Sequence, residues 1–354
     1  MLQALAPAPR ADLDPLLAGL PYDLPVRAIL AGTAAGRLWV DAPGRPRLLL
    51  AWNSRDHLYL ALRADDTHRS LGVALYEDLA TTLAGQVLAP ARLLGAWGLV
   101  WQHGPLQVTT PLVQCLLQGH EAMLDLRHVY APPMVAPSPL APPPPVAHPA
   151  IVPVDATLLA QSHLAHHKGL TDWIAENWAN AAAYLEYGFG YAWVEDGRLL
   201  SYCMADYASA GADGAPLVGI GIATRPEACN RGHTTHLAQA FLAECARRGV
   251  RPHWDCWNSN LPSIAVAEKA ALRLRNTYPV RFFWFNALDN AVVQLRLALA
   301  HNETTACRGW LQRVLERAHG PAAPTARLWP DDDLAQRLCD DPELAALLAG
   351  DRGP

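Results

Sequence analysis

The segment Gly221–His236 has the clearest chemical potential in the sequence, because it reads as a strand end, a polar turn and a helix start. A helix N-terminus exposes amides without intrahelical acceptors at the positive end of the helix dipole. A compact polar turn there favours an anion. The hydroxyl of Thr234 and the imidazoles of His233 and His236 add side-chain donors. The segment therefore predicts an anion-binding loop.

Two other interpretations of this turn stay open. His233 and His236 can simply open an ordinary helix. A metal site is the third interpretation, but two histidines with no carboxylate nearby provide too few ligands, because zinc usually takes four.

A second group of titratable residues lies on the strand predicted for Val250–Trp257. Side chains alternate along a strand, so His253 and Asp255 share one face. A carboxylate beside a histidine is a candidate general base for proton removal, and we predict Asp255 and His253 as catalytic residues. The alternative for Asp255 is a buried structural acid. Asp206 and Glu176 are the next candidates.

The elements that must position these residues alternate between helix and strand. Asp196-Gly197 predicts a two-residue hairpin turn, and Gly249 predicts the end of a helix. The predicted order is helix Leu170–Tyr187, strands Tyr191–Glu195, Leu199–Ala205 and Leu217–Thr224, helix Thr235–Arg248, strand Val250–Trp257, helix Ser263–Leu272 and strand Val280–Phe285.

The sequence before residue 131 has its own mixed pattern. Three short apolar runs predict strands, and two helical patterns follow. These are strands Arg37–Asp41, Arg47–Trp52 and His57–Leu62 and helices Val73–Leu88 and Leu106–Leu117.

Prolines dominate the segment 131–149, which predicts an extended polyproline spacer. We therefore expect an N-terminal α/β lobe at 1–130, a linker at 131–150, a second α/β domain at 151–286 and a helical extension at 287–354. We expect no sheet continuous across both lobes.

Composition excludes several classes of partner. The net charge of −5 argues against nucleic acid, whose binders usually carry a basic face. The 7 cysteines are odd in number and contain no C-x-x-C pair, which favours reduced thiols in the cytoplasm. The N-terminal residues lack a signal-peptide pattern, and prolines interrupt the longest uncharged stretch, so no membrane helix is predicted.

The loop and the elements after it resemble those of GNAT N-acetyltransferases. Arg231 occupies the first position of the family's pyrophosphate loop, Gln/Arg-x-x-Gly-x-Gly/Ala, and Gly232 completes an Arg-Gly pair. Further on, Asn260 matches the asparagine that opens the next helix in the family, and Glu268-Lys269 matches its end. Within the family, the sequence of the C-terminal half resembles the zwittermicin A resistance-like branch. The segments that carry this resemblance include Gly188-Phe-Gly-Tyr, Gly221-Ile-Ala-Thr and Arg248-Gly-Val-Arg-Pro-His-Trp-Asp-Cys-Trp.

The resemblance implies an α/β (α+β) fold with a GNAT-type mixed sheet flanked by helices in the C-terminal half. It implies a smaller, degenerate GNAT-like lobe in the N-terminal half and a V-shaped split between the two central strands of the C-terminal sheet. Acetyl-CoA is the implied cosubstrate, and the implied contacts are Ile222, Ala223, Thr224, Arg231, Gly232, His233, Thr234, Thr235, His236 and Asn260.

The expected activity is acetyl transfer from acetyl-CoA to an amine of a small molecule, without nucleic acid or membrane as partner. The sequence departs from the family pattern at Gly219, Thr234, His236 and Ala267. Two alternatives therefore remain: a catalytically degenerate module that binds coenzyme or protein, and a Fem-like tandem aminoacyl transferase. Oligomeric state is not predicted.

Overall fold

The computed structural model describes residues 2–63, 73–93, 98–103, 117, 119–133, 148–211, 213–318 and 342. The strands are β1 (Gln3–Leu5), β2 (Arg37–Val40), β3 (Leu48–Trp52), β4 (His57–Leu62), β5 (Gly98–His103), β6 (Met123–Ala131), β7 (Ile151–Pro153), β8 (Gly190–Glu195), β9 (Arg198–Ala210), β10 (Pro216–Thr224), β11 (Arg251–Trp257) and β12 (Arg273–Trp284). The helices are α1 (Asp14–Leu17), α2 (Leu24–Ala31), α3 (Val73–Thr82), α4 (Ala89–Leu93), α5 (Ala156–Leu159), α6 (His167–Asn177), α7 (Ala181–Tyr187), α8 (His233–Arg248), α9 (Leu261–Lys269), α10 (Ala287–Ala300) and α11 (Thr304–Ala318).

The described strands form one continuous sheet in the order β1-β2-β3-β4-β5-β12-β6-β11-β10-β9-β8-β7. The prediction that no sheet would cross both halves was wrong. The last strand of the N-terminal half, β6, lies between β11 and β12, and β12 in turn pairs with β5. Strand β6 of the N-terminal half therefore pairs with strands of the C-terminal half, and β12 of the C-terminal half pairs with β5 of the N-terminal half. The backbone groups of both exchanged strands are hydrogen-bonded on two sides. The four predicted domain ranges stay predictions, and residues 134–147 of the proline-rich segment lie outside the described residues.

The elements of the C-terminal half follow the predicted order. Asp196 and Gly197 both have positive φ, of 51° and 71°, as the two-residue turn requires. The predicted helix Leu170–Tyr187 is instead two helices, because Asn180 caps α7 by accepting a hydrogen bond from the Ala183 amide. Strand β12 starts earlier than the predicted Val280–Phe285, since its first residues pair with β6.

The N-terminal half contains the three predicted strands as β2, β3 and β4, and α3 covers most of the predicted helix Val73–Leu88. A π-helical segment at Leu83–Leu88 joins α3 to α4. The predicted helix Leu106–Leu117 falls almost wholly outside the described residues. Strands β5 and β6 and helices α1 and α2 were not predicted.

A hydrophobic cluster joins the two halves. It contains Tyr22 and Leu24 from the first half, Val129 of β6, and Tyr278 and Val280 of β12. The C-terminal extension is helical in α10 and α11, as expected. None of the helices in the described part of the chain has both the length and the apolarity needed to cross a bilayer.

Candidate active site

The parallel strands β10 and β11 are joined only at their beginnings. Leu217–Gly219 pairs with Arg251–His253, and the pairing stops there although β10 continues to Thr224. On its other side β10 stays paired with β9 to its end. The sheet therefore contains a split between β10 and β11, the two strands between which the sequence resemblance implied one.

Backbone groups of β10 line this split. The Arg225 amide donates to the Leu200 carbonyl of β9. Because backbone groups alternate sides along an antiparallel strand, those of Ile222 and Thr224 point away from β9 and into the split. Ala223 faces β9, where its carbonyl accepts a hydrogen bond from Ser201 Oγ at 3.0 Å. Ile222 and Thr224 thus offer unpaired amides to a ligand.

Helix α8 begins beside the end of β10. Gly232 immediately precedes α8 in the left-handed region, with φ of 83°, and its Cβ position has nothing closer than His236 Nε2 at 4.0 Å. Space is therefore left over the first amides of α8, which have no intrahelical acceptor. Arg231 and Thr235 flank this open position, Arg231 being exposed.

The side chain of Thr234 does not occupy that space. Its hydroxyl contacts the hydroxyls of Thr224 and Ser201, which are themselves 2.8 Å apart. This group of three ties α8 to β9 and β10. Threonine can therefore stand where the family pattern has glycine, because its Cβ turns toward the sheet and leaves the amides uncovered.

The two histidines of the loop have different environments. His233 is buried and stacks on Trp193 with ring centroids 4.1 Å apart, and burial lowers the pKa of its imidazole. His236 is exposed. Within the described ranges, no group of three or more side chains is arranged to hold a metal ion.

Asn260 lies at the N-terminus of α9, after β11. Its side-chain oxygen accepts a hydrogen bond from the Ser263 amide at 3.2 Å, which caps the helix. The residue is exposed, so its amide nitrogen is free to reach a ligand while the oxygen holds the helix.

Asp255 lies in a buried ion pair rather than at an open surface. Arg127 of β6 contacts one carboxylate oxygen, and the Tyr278 hydroxyl of β12 donates to the other at 2.6 Å. Only 6% of the Asp255 side chain is exposed. Both partners lie on exchanged strands, so the sequence offered no signal for this network. These contacts are those of a structural acid.

His253 shares the face of Asp255, as strand alternation predicted, and is the last residue of β11 to pair with β10. Its ring stacks on Tyr22 of the N-terminal half, with centroids 4.3 Å apart and planes 8° apart. Burial lowers the pKa of the His253 imidazole. Its Nε2 is buried and has no hydrogen-bond partner among the described residues.

Asp206 has the environment expected of a general base. It lies in a bulge where β9 has an extra residue opposite Gly219. A Cβ on Gly221 would collide with its carboxylate, so the carboxylate lies over the backbone of β10 beside the split. Burial raises the pKa of Asp206 to about 7, although Trp173 Nε1 opposes this shift by donating a hydrogen bond at 2.6 Å.

The N-terminal half contacts the same region. Arg55 forms an ion pair with Glu176 of α6, so the Glu176 carboxylate already has a charged partner. Thr33 Oγ1 donates to the Ala208 carbonyl in β9 at 3.0 Å. The bulge that carries Asp206 is thus held by both halves.

The fold and the split define an α/β domain whose sheet opens between two parallel strands. Residues 150–281 match the family model described as GNAT acetyltransferase. This region of the chain is therefore a GNAT N-acetyltransferase domain, as the sequence resemblance indicated.

A curated protein and two solved structures are similar to this chain. The chain is 27% identical over 107 residues to an uncharacterized N-acetyltransferase, YdfB, of Bacillus subtilis (strain 168), and the match covers 30% of this chain and 39% of that protein. The chain thus spans well under half of the curated relative. A GCN5-related N-acetyltransferase-like protein from Streptococcus suis 89/1591 has the same fold, with a TM-score of 0.52 and 17% identity over 76% of this chain and 95% of that one. A tandem GNAT protein from the clavulanic acid biosynthesis pathway has a TM-score of 0.49 and 19% identity over 80% of this chain and 98% of that one.

Proposed function

We propose that the protein transfers an acetyl group from acetyl-CoA to an amine of a small molecule. One observation carries the proposal: β10 and β11 separate after Gly219, and the unpaired amides of Ile222 and Thr224 adjoin the N-terminus of α8. Amides fixed in this way can polarise a thioester carbonyl without reorganising during the reaction.

The coenzyme fits the loop on physical grounds. The amides and side chains of Arg231 to His236 would bind the diphosphate, and the open Cβ position of Gly232 leaves room for it. The pantetheine arm would then follow the split past Ile222, Ala223 and Thr224, with Asn260 beside it.

We propose Asp206 as the general base in place of Asp255, whose oxygens are engaged by Arg127 and Tyr278. Asp206 takes a proton from the amine as the nitrogen–carbon bond forms. The carbon–sulphur bond breaks with its electron pair on sulphur, and the released thiolate takes a proton from solvent. A base whose pKa lies near neutral pH suits this step.

The N-terminal lobe offers no equivalent split in its described strands. There β4 and β5 are also parallel neighbours, but every residue of β5 from Val100 to His103 is paired with β4. The difference supports one coenzyme site per chain, in the C-terminal half.

The finer parts of the assignment are proposals as well. We propose that the chain belongs to the zwittermicin A resistance-like branch and works in the cytoplasm. Its acceptor would be a small amine, because the net charge of −5 disfavours a nucleic-acid carrier.

Calorimetry with acetyl-CoA followed by a free-thiol assay with a panel of amines tests the function. The proposal expects coenzyme binding and amine-dependent thiol release. Binding without release from any amine would identify a degenerate coenzyme-binding module, and absence of binding would refute the site.

A pair of variants at the two ends of α8 locates the coenzyme. Gly232→Val should weaken acetyl-CoA binding at least about tenfold, or 1.4 kcal/mol, by blocking the loop. Gly249→Val is the matched control, because Gly249 also has positive φ, of 66°, and an open Cβ position, but ends the same helix away from the split. Equal affinities in the two folded variants would rule out the loop as the site.

A further inference from the structure

The helical hairpin α10–α11 is held against the exchanged strand β6 by polar contacts at both of its ends. At the open end, Asn290 Nδ2 donates to the Glu121 carbonyl at 2.8 Å, and Arg317 pairs with the Glu121 carboxylate at 2.7 Å. At the turn between the two helices, His301 Nε2 lies 3.4 Å from Asp125 Oδ1. The hairpin is thus held by Glu121 at one end and by Asp125 at the other.

Asp125 is far more buried than Glu121. Its side chain is 2% exposed, and that of Glu121 is 39% exposed. The Leu126 amide donates to Asp125 Oδ1 at 2.7 Å, whereas Oδ2 is buried and has no hydrogen-bond partner among the described residues. A buried carboxylate is costly when ionised unless a cation neutralises it. Burial accordingly raises the pKa of Asp125.

His301 is the cation that bears most directly on Asp125. Three side chains that can carry positive charge act on this carboxylate: His301, Arg127 and His128. Arg127 is already paired with Asp255 of β11. On β12 the residue opposite Asp125 is Val280, which is uncharged. The neutralisation of Asp125 therefore depends on His301, which is charged only when it is protonated.

We propose that His301 and Asp125 form a pH-dependent latch that holds the hairpin α10–α11 on β6. While the His301 ring is protonated, its charge offsets that of the carboxylate. Once the ring has lost its proton, the carboxylate charge stays buried and is no longer offset at this contact. The docked hairpin therefore holds protons on this pair more tightly than an undocked hairpin, in which both groups are in water. By linkage, docking is favoured at low pH and weakens as pH rises.

Hydrogen exchange of the whole chain at pH 5.5 and pH 8.5 tests the latch, with each peptide corrected for its intrinsic exchange rate at that pH. Peptides of α10 and α11 are compared with peptides of α8 in the same sample, because α8 packs on β8, β9 and β10. His301→Gln and Asp125→Asn each remove one titrating group. Glu121→Gln is the matched control, since it removes an exposed carboxylate of the same interface that pairs with Arg313 and Arg317.

In the wild type, exchange of α10 and α11 relative to α8 should be at least about tenfold faster at pH 8.5 than at pH 5.5. A difference of one pKa unit between the docked and undocked states is enough for this change. His301→Gln and Asp125→Asn should each lower the ratio below about threefold. Glu121→Gln should keep the wild-type ratio, even where its exchange is faster at both pH values.

Equal relative exchange at the two pH values in the wild type would overturn the proposal. So would a wild-type ratio in the folded His301→Gln variant, or a loss of the ratio in Glu121→Gln. Because the measurement needs neither an acyl donor nor an acceptor, its result is independent of the proposed function.

Discussion

Replacing Asp206 with asparagine removes the ionisable group and keeps an oxygen to accept the Trp173 hydrogen bond. If Asp206 is the base, this variant should lower kcat by about 10²-fold or more. Acetyl-CoA affinity should be unchanged, because the carboxylate lies over Gly221 and not at the α8 loop. In the wild type, kcat/KM should rise with pH through a midpoint near the Asp206 pKa of about 7.

The same substitution should change stability in a pH-dependent way. The folded-state pKa of about 7 lies well above the ordinary aspartate value, which is about 3.9. Between these values the folded protein keeps the proton and the unfolded chain has lost it, so the free energy of unfolding falls as pH rises. The upper limit of this loss is about 4 kcal/mol above pH 7, at roughly 1.4 kcal/mol per pH unit. Asp206→Asn has no ionisable group at this position and does not undergo this loss of stability. The variant should therefore be more stable than the wild type at pH 8 and similar to it at pH 4.

Urea unfolding at pH 4, 6 and 8 measures this difference, alongside steady-state kinetics over the same range. Asp172→Asn is the control, because Asp172 is an exposed carboxylate on the same helix as Trp173 and pairs with Lys168. Parallel stability curves for the wild type and Asp206→Asn would refute the raised pKa. Full activity of Asp206→Asn would refute its role as the base.

Two further substitutions distinguish residues that act on the proposed base from residues that stabilise the fold. Trp173→Phe removes the hydrogen bond that stabilises the Asp206 carboxylate. The midpoint of the pH–rate profile should therefore move to higher pH. A midpoint that stays or falls would contradict this electrostatic argument. Asp255→Asn leaves Arg127 buried without its charge partner, so the free energy of unfolding should drop by about 3–5 kcal/mol. Thiol release by the folded variant should stay within about threefold of the wild type, and a large loss of kcat with little loss of stability would restore Asp255 as the base.

Local features of the site could be predicted because their causes are local. The start of α8 beside a polar turn follows from residues close in the chain, and so does the hairpin at Asp196-Gly197. The shared face of His253 and Asp255 follows from strand alternation alone. The split between β10 and β11 came from the family resemblance, because periodicity does not reveal where two strands separate.

The proposed base could not be chosen from the sequence in the same way. Asp255 and Asp206 are both single acids on strands, and their sequence neighbours do not tell them apart. Asp255 is neutralised by Arg127, which lies 128 residues away on an exchanged strand. Asp206 is beside the split because β9 has a bulge there and Gly221 leaves room for the carboxylate.

By itself the sequence determined the order of helices and strands in the C-terminal half and the polar turn before α8. These depend on capping, glycine conformations and periodic burial, which act over a few residues. Only the tertiary structure decided that β6 and β12 exchange between the halves and that Tyr22 stacks on His253. Such contacts depend on which strands pair across the whole chain, and the same local sequence patterns are compatible with many different strand pairings.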